Sequence, residues 1–594
     1  MTEEIVPRWD VSTIFPSLTS PEYGHAIDKL VGMIANCDEQ VKRLKDQGTA
    51  QNCAAVLTSL NSIFEHGGTI RAYLQSFITT DTRNQEALRL NSAFEKLYLD
   101  VQNLHLHFQV WIGSKTVAEI ETLIAGDPVN FDHAFALRNL REQASFLMPS
   151  AMEELANELA LSGASAWGKL QGNITSQLAV DFEIDGQINK IPMPALINYR
   201  SHPEESTRKK AYEVEMAAWK TVEVPLAAAL NGVKGATNTL DKRRGREDCL
   251  HSAIDSARIS RKTLEAMIGS MEASLPSFER YFLSKAKRLG KEKLAWWDIF
   301  APDSHSASKY SWPEAEAFIL QHFNSFSPEL SDFAKRAFQL NWIDAEQRDG
   351  KHGGAFCMSV PGKKESRILC NFDGSLDQVG TIAHELGHAF HNECAYKANK
   401  TEFQQDTPMT LAETASIMCE TIIVEALLKQ TSDKTERLNI LGNSLVGSGQ
   451  VIVDIYSRFL FEKEIFERRE QAELSADEIC DAMERAQKKA YGNSLDHNHL
   501  NRYAWTWKPH YYYAGLSFYN FPYAFGLLFS KGLYAIYQQR GPSFLADYTS
   551  LLSSTGEASA EELALRFGIN IEERKFWDDS LAMIEQEIEQ YIQL

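Results

Sequence analysis

The sequence predicts a mainly α-helical protein, a large helical body with only a small β-sheet. Apolar residues recur at steps of three and four from Pro21 to about Leu170, as they do on one face of a long helix. Glycine and proline are sparse there, and short turn clusters separate the segments. Strand-like text appears in only two places. The clearest helical run comprises Leu90, Phe94, Leu97, Val101, Leu104 and Phe108.

The first strand-like stretch, residues 178–191, predicts a β-hairpin because apolar and polar residues alternate and Asp185-Gly186 supplies a turn. The second covers residues 353–372 and contains two apolar runs. The rest of the chain has the residue pattern of helices, apart from an aromatic stretch near residues 503–523. No repeat of solenoid length is visible, which argues against a helical scaffold.

Composition excludes several classes of protein. The 594 residues include 60 Lys and Arg against 80 Asp and Glu, and the net charge of −20 disfavours nucleic acid as a partner. No apolar run is long enough for a membrane helix, and the first residues lack the features of a signal peptide. We therefore expect no membrane contact. The eight cysteines are scattered without a CxxC pair, as suits a reducing compartment, so we expect a cytoplasmic protein.

One motif carries most of the chemical information. His384 and His388 stand four residues apart in a segment expected to be helical from near Asp377, so one metal ion can lie between their rings. Glu385 then lies beside the metal's open position, where a carboxylate serves as general base. His391 points to another side of the helix and is expected either to support the ligands from behind or to pack. Gly387 inside the helix indicates a close approach by another chain segment.

A zinc ion in such a site needs a third protein ligand. Glu413 and Glu420 lie seven residues apart on one face of a second, largely apolar helix that begins near Pro408. Zinc bound by Glu413, with Glu420 holding a ligand histidine, would compensate both charges. A buried salt bridge to arginine is the alternative interpretation.

Several motifs together resemble one family. The HExxH motif at His384, Glu413 twenty-five residues beyond His388, residues 509–511 and residues 518–523 are similar to the oligoendopeptidase F branch of the thimet-oligopeptidase family. Residues 8–12, 297–298 and 350–356 also match, so the resemblance covers nearly the whole chain.

The resemblance implies a helical body split by a deep substrate channel with a small sheet next to the HExxH helix, and one Zn²⁺ per chain. It implies His384, His388 and Glu413 as metal ligands and Glu385 as general base. It further implies that His510, Tyr519 and Tyr523 stabilise the oxyanion, with Tyr512 as a rival. The expected domains are residues 1–195, helical with the hairpin, and residues 196–594, helical and catalytic.

The function expected is zinc-dependent hydrolysis of internal bonds in short peptides. The strand text at residues 359–372 is expected to bind substrate backbone by strand addition. Two alternatives remain open: a zinc carboxypeptidase on a similar helical scaffold, and a non-catalytic protein that binds zinc or peptides. The oligomeric state is not predicted.

Overall fold

The computed structural model describes residues 6–184, 186–303 and 309–594. It is 71% helical, which confirms the predicted fold class of a helical body with small sheets. The helices are α1 Pro21–Leu44, α2 Ala50–Thr80, α3 Gln85–Gly113, α4 Val117–Ala125, α5 Pro128–Asp132, α6 Ala134–Ala144, α7 Ser150–Ser162, α8 Ala164–Gln177, α9 Met193–Asn198, α10 Glu205–Arg243, α11 His251–Ala257, α12 Arg261–Arg288, α13 Trp312–Phe326, α14 Pro328–Gln339, α15 Leu376–Lys397, α16 Met409–Ala412, α17 Thr414–Gln430, α18 Lys434–Gly449, α19 Ile455–Arg469, α20 Ala476–Tyr491, α21 Phe521–Arg540, α22 Leu545–Leu552, α23 Ala560–Leu565 and α24 Arg574–Gln593.

The chain divides into two compact units, each built from three separate segments. The first unit comprises Met1–Phe146, Ala307–Ala426 and Ile536–Gly568, and the second comprises Leu147–Ser306, Leu427–Ala535 and Ile569–Leu594. The boundary expected near residue 195 falls inside the second unit, so this division differs from the sequence-based one, which stays a prediction.

Five strands form two small sheets in the described part of the chain: β1 Ala179–Ile184, β2 Gln187–Pro192, β3 Ile343–Asp344, β4 Phe356–Val360 and β5 Glu365–Leu369. The antiparallel pair β1–β2 is the predicted hairpin, with Ile184 opposite Gln187. Gly186 in its turn has φ +78°, a conformation that favours glycine, while Asp185 lies outside the described residues.

The second sheet has the order β3-β5-β4, and both β4 and β5 pack against α15. Strand β5 is antiparallel to β4 and parallel to β3, so both of its edges are already paired. The expectation that residues 359–372 would add a substrate strand therefore needs correction. The edge strands of this sheet are β3, only two residues long, and β4, so β4 is the edge that could add a substrate strand.

Each unit has its own apolar core. In the first, the predicted face of α3 packs against α1 and α2, with Phe94, Val101 and Phe108 almost completely buried. In the second, α10 packs against α19 and α20 around Trp219 and Trp505. Among the described residues, no helix combines the length and apolar composition that a membrane span needs.

Candidate metal centre

Helix α15 carries the HExxH motif and is held close to a neighbouring helix. Ser375 caps its N-terminus by accepting a hydrogen bond from the backbone N–H of Gln378. A Cβ on Gly387 would lie 2.5 Å from both the Ala415 carbonyl oxygen and the Ser416 Cα. This approach explains the glycine in the helix, as predicted, and brings the start of α17 against the motif.

The side chains of His384, His388 and Glu413 converge on one point. The Oε2 atom of Glu413 lies 3.4 Å from the Nε2 atom of His384 and 3.4 Å from the Nε2 atom of His388. In the described part of the chain, these three residues form the one group whose His, Cys, Asp or Glu ligand atoms could hold a metal ion. Sequence analysis selected the same three residues.

A break between two helices aims Glu413 at the histidines. Helix α16 ends at Ala412, Glu413 itself has φ −86° and ψ 3°, and α17 begins at Thr414. The hydroxyl of Ser416 donates a 2.7 Å hydrogen bond to Oε2 of Glu413, which fixes the carboxylate.

Each histidine has a further hydrogen-bonding partner besides Glu413. Oε2 of Glu420 lies 3.4 Å from Nδ1 of His384, and the backbone of Ala412 hydrogen-bonds to His388. Such outer partners hold the rings of metal-binding histidines in place. Glu420 therefore lies where the sequence placed it, behind a histidine rather than among the three converging atoms.

The charges of the cluster are strongly coupled. Burial lowers the pKa of His384, but hydrogen bonds with Glu413 and Glu420 outweigh it and raise that pKa to about 10. Burial lowers the pKa of His388 to about 4. Burial opposes ionisation of Glu413, yet the two histidines hold its pKa at about 2. At neutral pH the ionised carboxylate of Glu413 thus lies next to a positively charged His384.

Glu385 sits beside the cluster with one oxygen unsatisfied. Its Oε2 atom is buried and has no hydrogen-bond partner among the described residues, and burial raises the pKa of Glu385 to about 7. A buried polar atom without a partner is costly unless a ligand supplies one. The cavity of about 590 Å³ in front of it is lined by both histidines, Glu413 and residues 355–357 of the β4 segment.

The remaining nearby candidates on α15 have other roles. His391 is buried at the back of the metal cavity, and its Nε2 atom lies 3.0 Å from Oγ1 of Thr555, so it stays outside the three converging side chains. Glu393 forms an ion pair with Arg336 at 2.7 Å.

In the second unit, His510, Tyr519 and Tyr523 gather around a separate cavity of about 370 Å³. The hydroxyls of Tyr519 and Tyr523 are 2.7 Å apart, although α21 begins between them. The ring of Tyr519 stacks on His510 with centroids 5.7 Å apart. The rival Tyr512 is instead buried in the core of this unit.

Sequence reasoning missed three polar neighbours of these side chains. Asn520 donates through Nδ2 to Nε2 of His510 at 2.9 Å, and Arg458 donates to Oδ1 of Asn520 at 3.1 Å. Lys508 lines the same cavity. Burial and the positive charge of Arg458 lower the pKa of His510 to about 3, so its ring is neutral at pH 7. The π-helical turn Gln450–Asp454, adjacent to Arg458, has no simple sequence signal.

Two histidines on one helix, a carboxylate from a second helix and a buried carboxylate beside them define the site of a metal-dependent hydrolase. Comparison with known proteins identifies the family. Residues 198–583 match the model described as Peptidase family M3, and residues 114–179 match the model described as Oligopeptidase F. The first match covers more than half of the chain, so the chain belongs to Peptidase family M3. The predicted membership of the oligoendopeptidase F branch is confirmed.

Individual relatives agree with this family. An oligoendopeptidase F homolog of Lactococcus lactis subsp. lactis (strain IL1403) is 24% identical over 614 residues, which cover 99% of this chain and 97% of the relative. The chromosomal oligoendopeptidase F of Lactococcus lactis subsp. cremoris is 27% identical over 396 residues, which cover 66% of this chain and 65% of the relative, less than two thirds of its length. The structure of oligoendopeptidase-F from Enterococcus faecium has the same fold, with a TM-score of 0.71 at 17% identity over 96% of this chain and 98% of that one.

Proposed function

We propose that this protein is a zinc-dependent endopeptidase that cleaves internal bonds of short peptides. In this proposal His384, His388 and Glu413 hold one zinc ion per chain. The observation that carries it is the convergence of these three ligand atoms beside the unpartnered carboxylate oxygen of Glu385.

The donor set and its spacing fit zinc. Catalytic zinc sites use three protein ligands of the imidazole and carboxylate type and leave a fourth position open. Two atoms that each lie ~2.0–2.1 Å from one ion at a tetrahedral angle are about 3.4 Å apart. Both distances from Glu413 to the histidine nitrogens have this value, 3.4 Å.

Glu385 performs the proton transfers in this proposal. When bound, the metal ion polarises the scissile carbonyl and makes the attacking water more acidic. Glu385 accepts the proton of that water and returns it to the leaving amine. Glu385 lines the same cavity as His384, His388 and Glu413, and its buried Oε2 atom has no hydrogen-bond partner among the described residues.

The edge strand β4 supplies a surface for the substrate backbone. Its residues line the same cavity as the histidines, and no other described segment pairs with its outer edge. An extended peptide can add to such an edge through backbone hydrogen bonds, which accept many side chains.

We further propose that His510, Tyr519 and Tyr523 stabilise the oxyanion of the reaction, as the family resemblance implies. Their clustering around one cavity supports a shared role. Tyr519→Phe and Tyr523→Phe should both keep the metal. The variant that lacks the hydroxyl donating to the oxyanion should lose up to about 10²–10³-fold in kcat. Unchanged kcat in both variants would contradict this role.

Short peptides are the proposed partners. Nucleic acid is not expected because the net charge is −20, and a membrane is not expected because the sequence has no apolar run of transmembrane length. A cytoplasmic location is proposed because all eight cysteines are free, as they are in reducing compartments.

The test uses a fluorescence-quenched peptide blocked at both ends, beside the same peptide with a free C-terminus. We expect both to be cut at the same internal bond, with activity lost to a chelator and restored by one equivalent of zinc. His388→Ala is the metal-free control. Cleavage of only the free-ended peptide would indicate a carboxypeptidase, and bound zinc without any cleavage would indicate a non-catalytic protein.

A further inference from the structure

A second cavity of about 620 Å³ adjoins the candidate metal cavity within the first unit. Cys357, Ser359 and Asp406 line both cavities. Around β4, the lining of the first cavity begins at Ala355, whereas the lining of the second cavity extends to Pro361, so the second cavity lies toward the C-terminal end of the strand. A peptide that lies along β4 with its scissile bond at the metal would therefore have a nearby side chain within reach of this cavity.

Aromatic rings form the walls of this second cavity. Phe64 of α2 and Phe403 pack edge to face with centroids 5.5 Å apart, and His105 of α3 lies 5.8 Å from Phe403. Tyr98 of α3 completes the wall. Burial lowers the pKa of His105, so its ring adds no positive charge at neutral pH.

Negative charge exceeds positive charge at the cavity. The carboxylates of Glu402 and Asp406 line it, and Arg71 is its one guanidinium among the described lining residues. Arg71 already stacks on Tyr98, with its Cζ 4.2 Å from the ring centroid. Glu402 has no described hydrogen bond or ion pair, and its burial together with nearby Glu65 raises the pKa of its carboxyl to about 7.

We propose that this cavity is a specificity pocket for a lysine or arginine side chain of the substrate, with Glu402 as its counter-ion. The long aliphatic part of such a side chain can pack against the aromatic walls, and its positive charge can form cation–π interactions with the faces of their rings. The cation would supply the partner that Glu402 lacks in the described protein. This inference rests on the proposed endopeptidase function.

The test uses a series of blocked, quenched peptides in which a single lysine occupies each position in turn. Each lysine peptide is compared with the peptides that carry norleucine or glutamate at the same position. We expect kcat/KM for lysine to exceed that for norleucine by about 10- to 100-fold at one position only, the gain of a buried charge-assisted hydrogen bond. In Glu402→Gln this ratio should fall below about 3. Glu95→Gln, an exposed change on α3 outside the cavity, should keep the wild-type ratio.

A second readout separates this inference from the proposed function. The Glu385→Gln variant should bind the lysine peptide more tightly than the norleucine peptide, and Glu385→Gln/Glu402→Gln should not. Failure of the wild type to cut any peptide would defeat the proposed function, while the binding measurement would still decide the pocket. Equal cleavage and equal binding of the three peptides would overturn the pocket, and preference for glutamate would assign it to anions through Arg71.

Discussion

Removing the carboxylate of Glu413 should abolish metal binding, whereas removing that of Glu420 should only weaken it. Oε2 of Glu413 faces the Nε2 atoms of both histidines at 3.4 Å. Oε2 of Glu420 faces only the far nitrogen of His384, also at 3.4 Å. In the proposed zinc site, the first contact belongs to a ligand and the second to a partner that orients a ligand.

The expected magnitudes follow from these positions. Loss of an orienting partner costs about 10- to 100-fold in metal affinity. The side chain of Glu420 is 50% exposed, so water screens its charge and we expect the lower end, about tenfold or ~1.4 kcal/mol. The side chain of Glu413 is 20% exposed, and its loss leaves two protein ligands, too few for a stable zinc site.

The assay is a zinc titration against a chromophoric chelator on Glu413→Gln and Glu420→Gln, with circular dichroism to verify folding. Glu329→Gln is the matched control, because Glu329 is 48% exposed and pairs with Lys397 away from the cluster. A Glu420→Gln protein without zinc beside a Glu413→Gln protein with full affinity would refute the reasoning.

Three further outcomes are expected. Gly387→Ala should lower the free energy of unfolding by about 1–3 kcal/mol and weaken zinc binding, because the new Cβ would collide with α17. Gly380→Ala should do neither, because its Cβ would meet nothing within 4 Å. Equal melting temperatures of the two variants would contradict this prediction. Glu402→Gln should exceed the wild type in free energy of unfolding by about 1–2 kcal/mol at pH 8 and lose most of that gain by pH 5. The reason is that the raised pKa of Glu402 makes its ionisation costly only in the folded state. A stability difference that does not change with pH would contradict this prediction. The enzyme should cleave short peptides and leave full-length, unfolded casein intact, which chromatography of the digests would reveal. Casein fragments would contradict selection by size.

Local sequence patterns predicted the core of the candidate site. The four-residue spacing of His384 and His388 places two side chains on neighbouring turns of any helix, and their rings lie 5.0 Å apart. The same patterns predicted the start of α15 to within about one residue and the hairpin β1–β2. These features depend on residues close in sequence, which is why periodicity and turn residues reveal them.

Features that depend on distant segments could not be predicted. The two apolar runs at residues 353–372 indicated strands, but only the pairing with β3, two residues long, makes β5 central and leaves β4 at the edge. The helix break that aims Glu413 at the histidines lies in apolar text that reads as one continuous helix. The second cavity joins Tyr98 to Phe403, which are more than 300 positions apart.

In the proposed mechanism, Glu385 transfers protons at a metal site to which it contributes no ligand. The most direct measurement is zinc content and peptide turnover of Glu385→Gln beside the wild type in one preparation. We expect one zinc per chain in both proteins and turnover lowered by at least about 10³-fold in the variant, at the upper end of general-base effects. Near-normal turnover in the zinc-loaded variant would contradict the account.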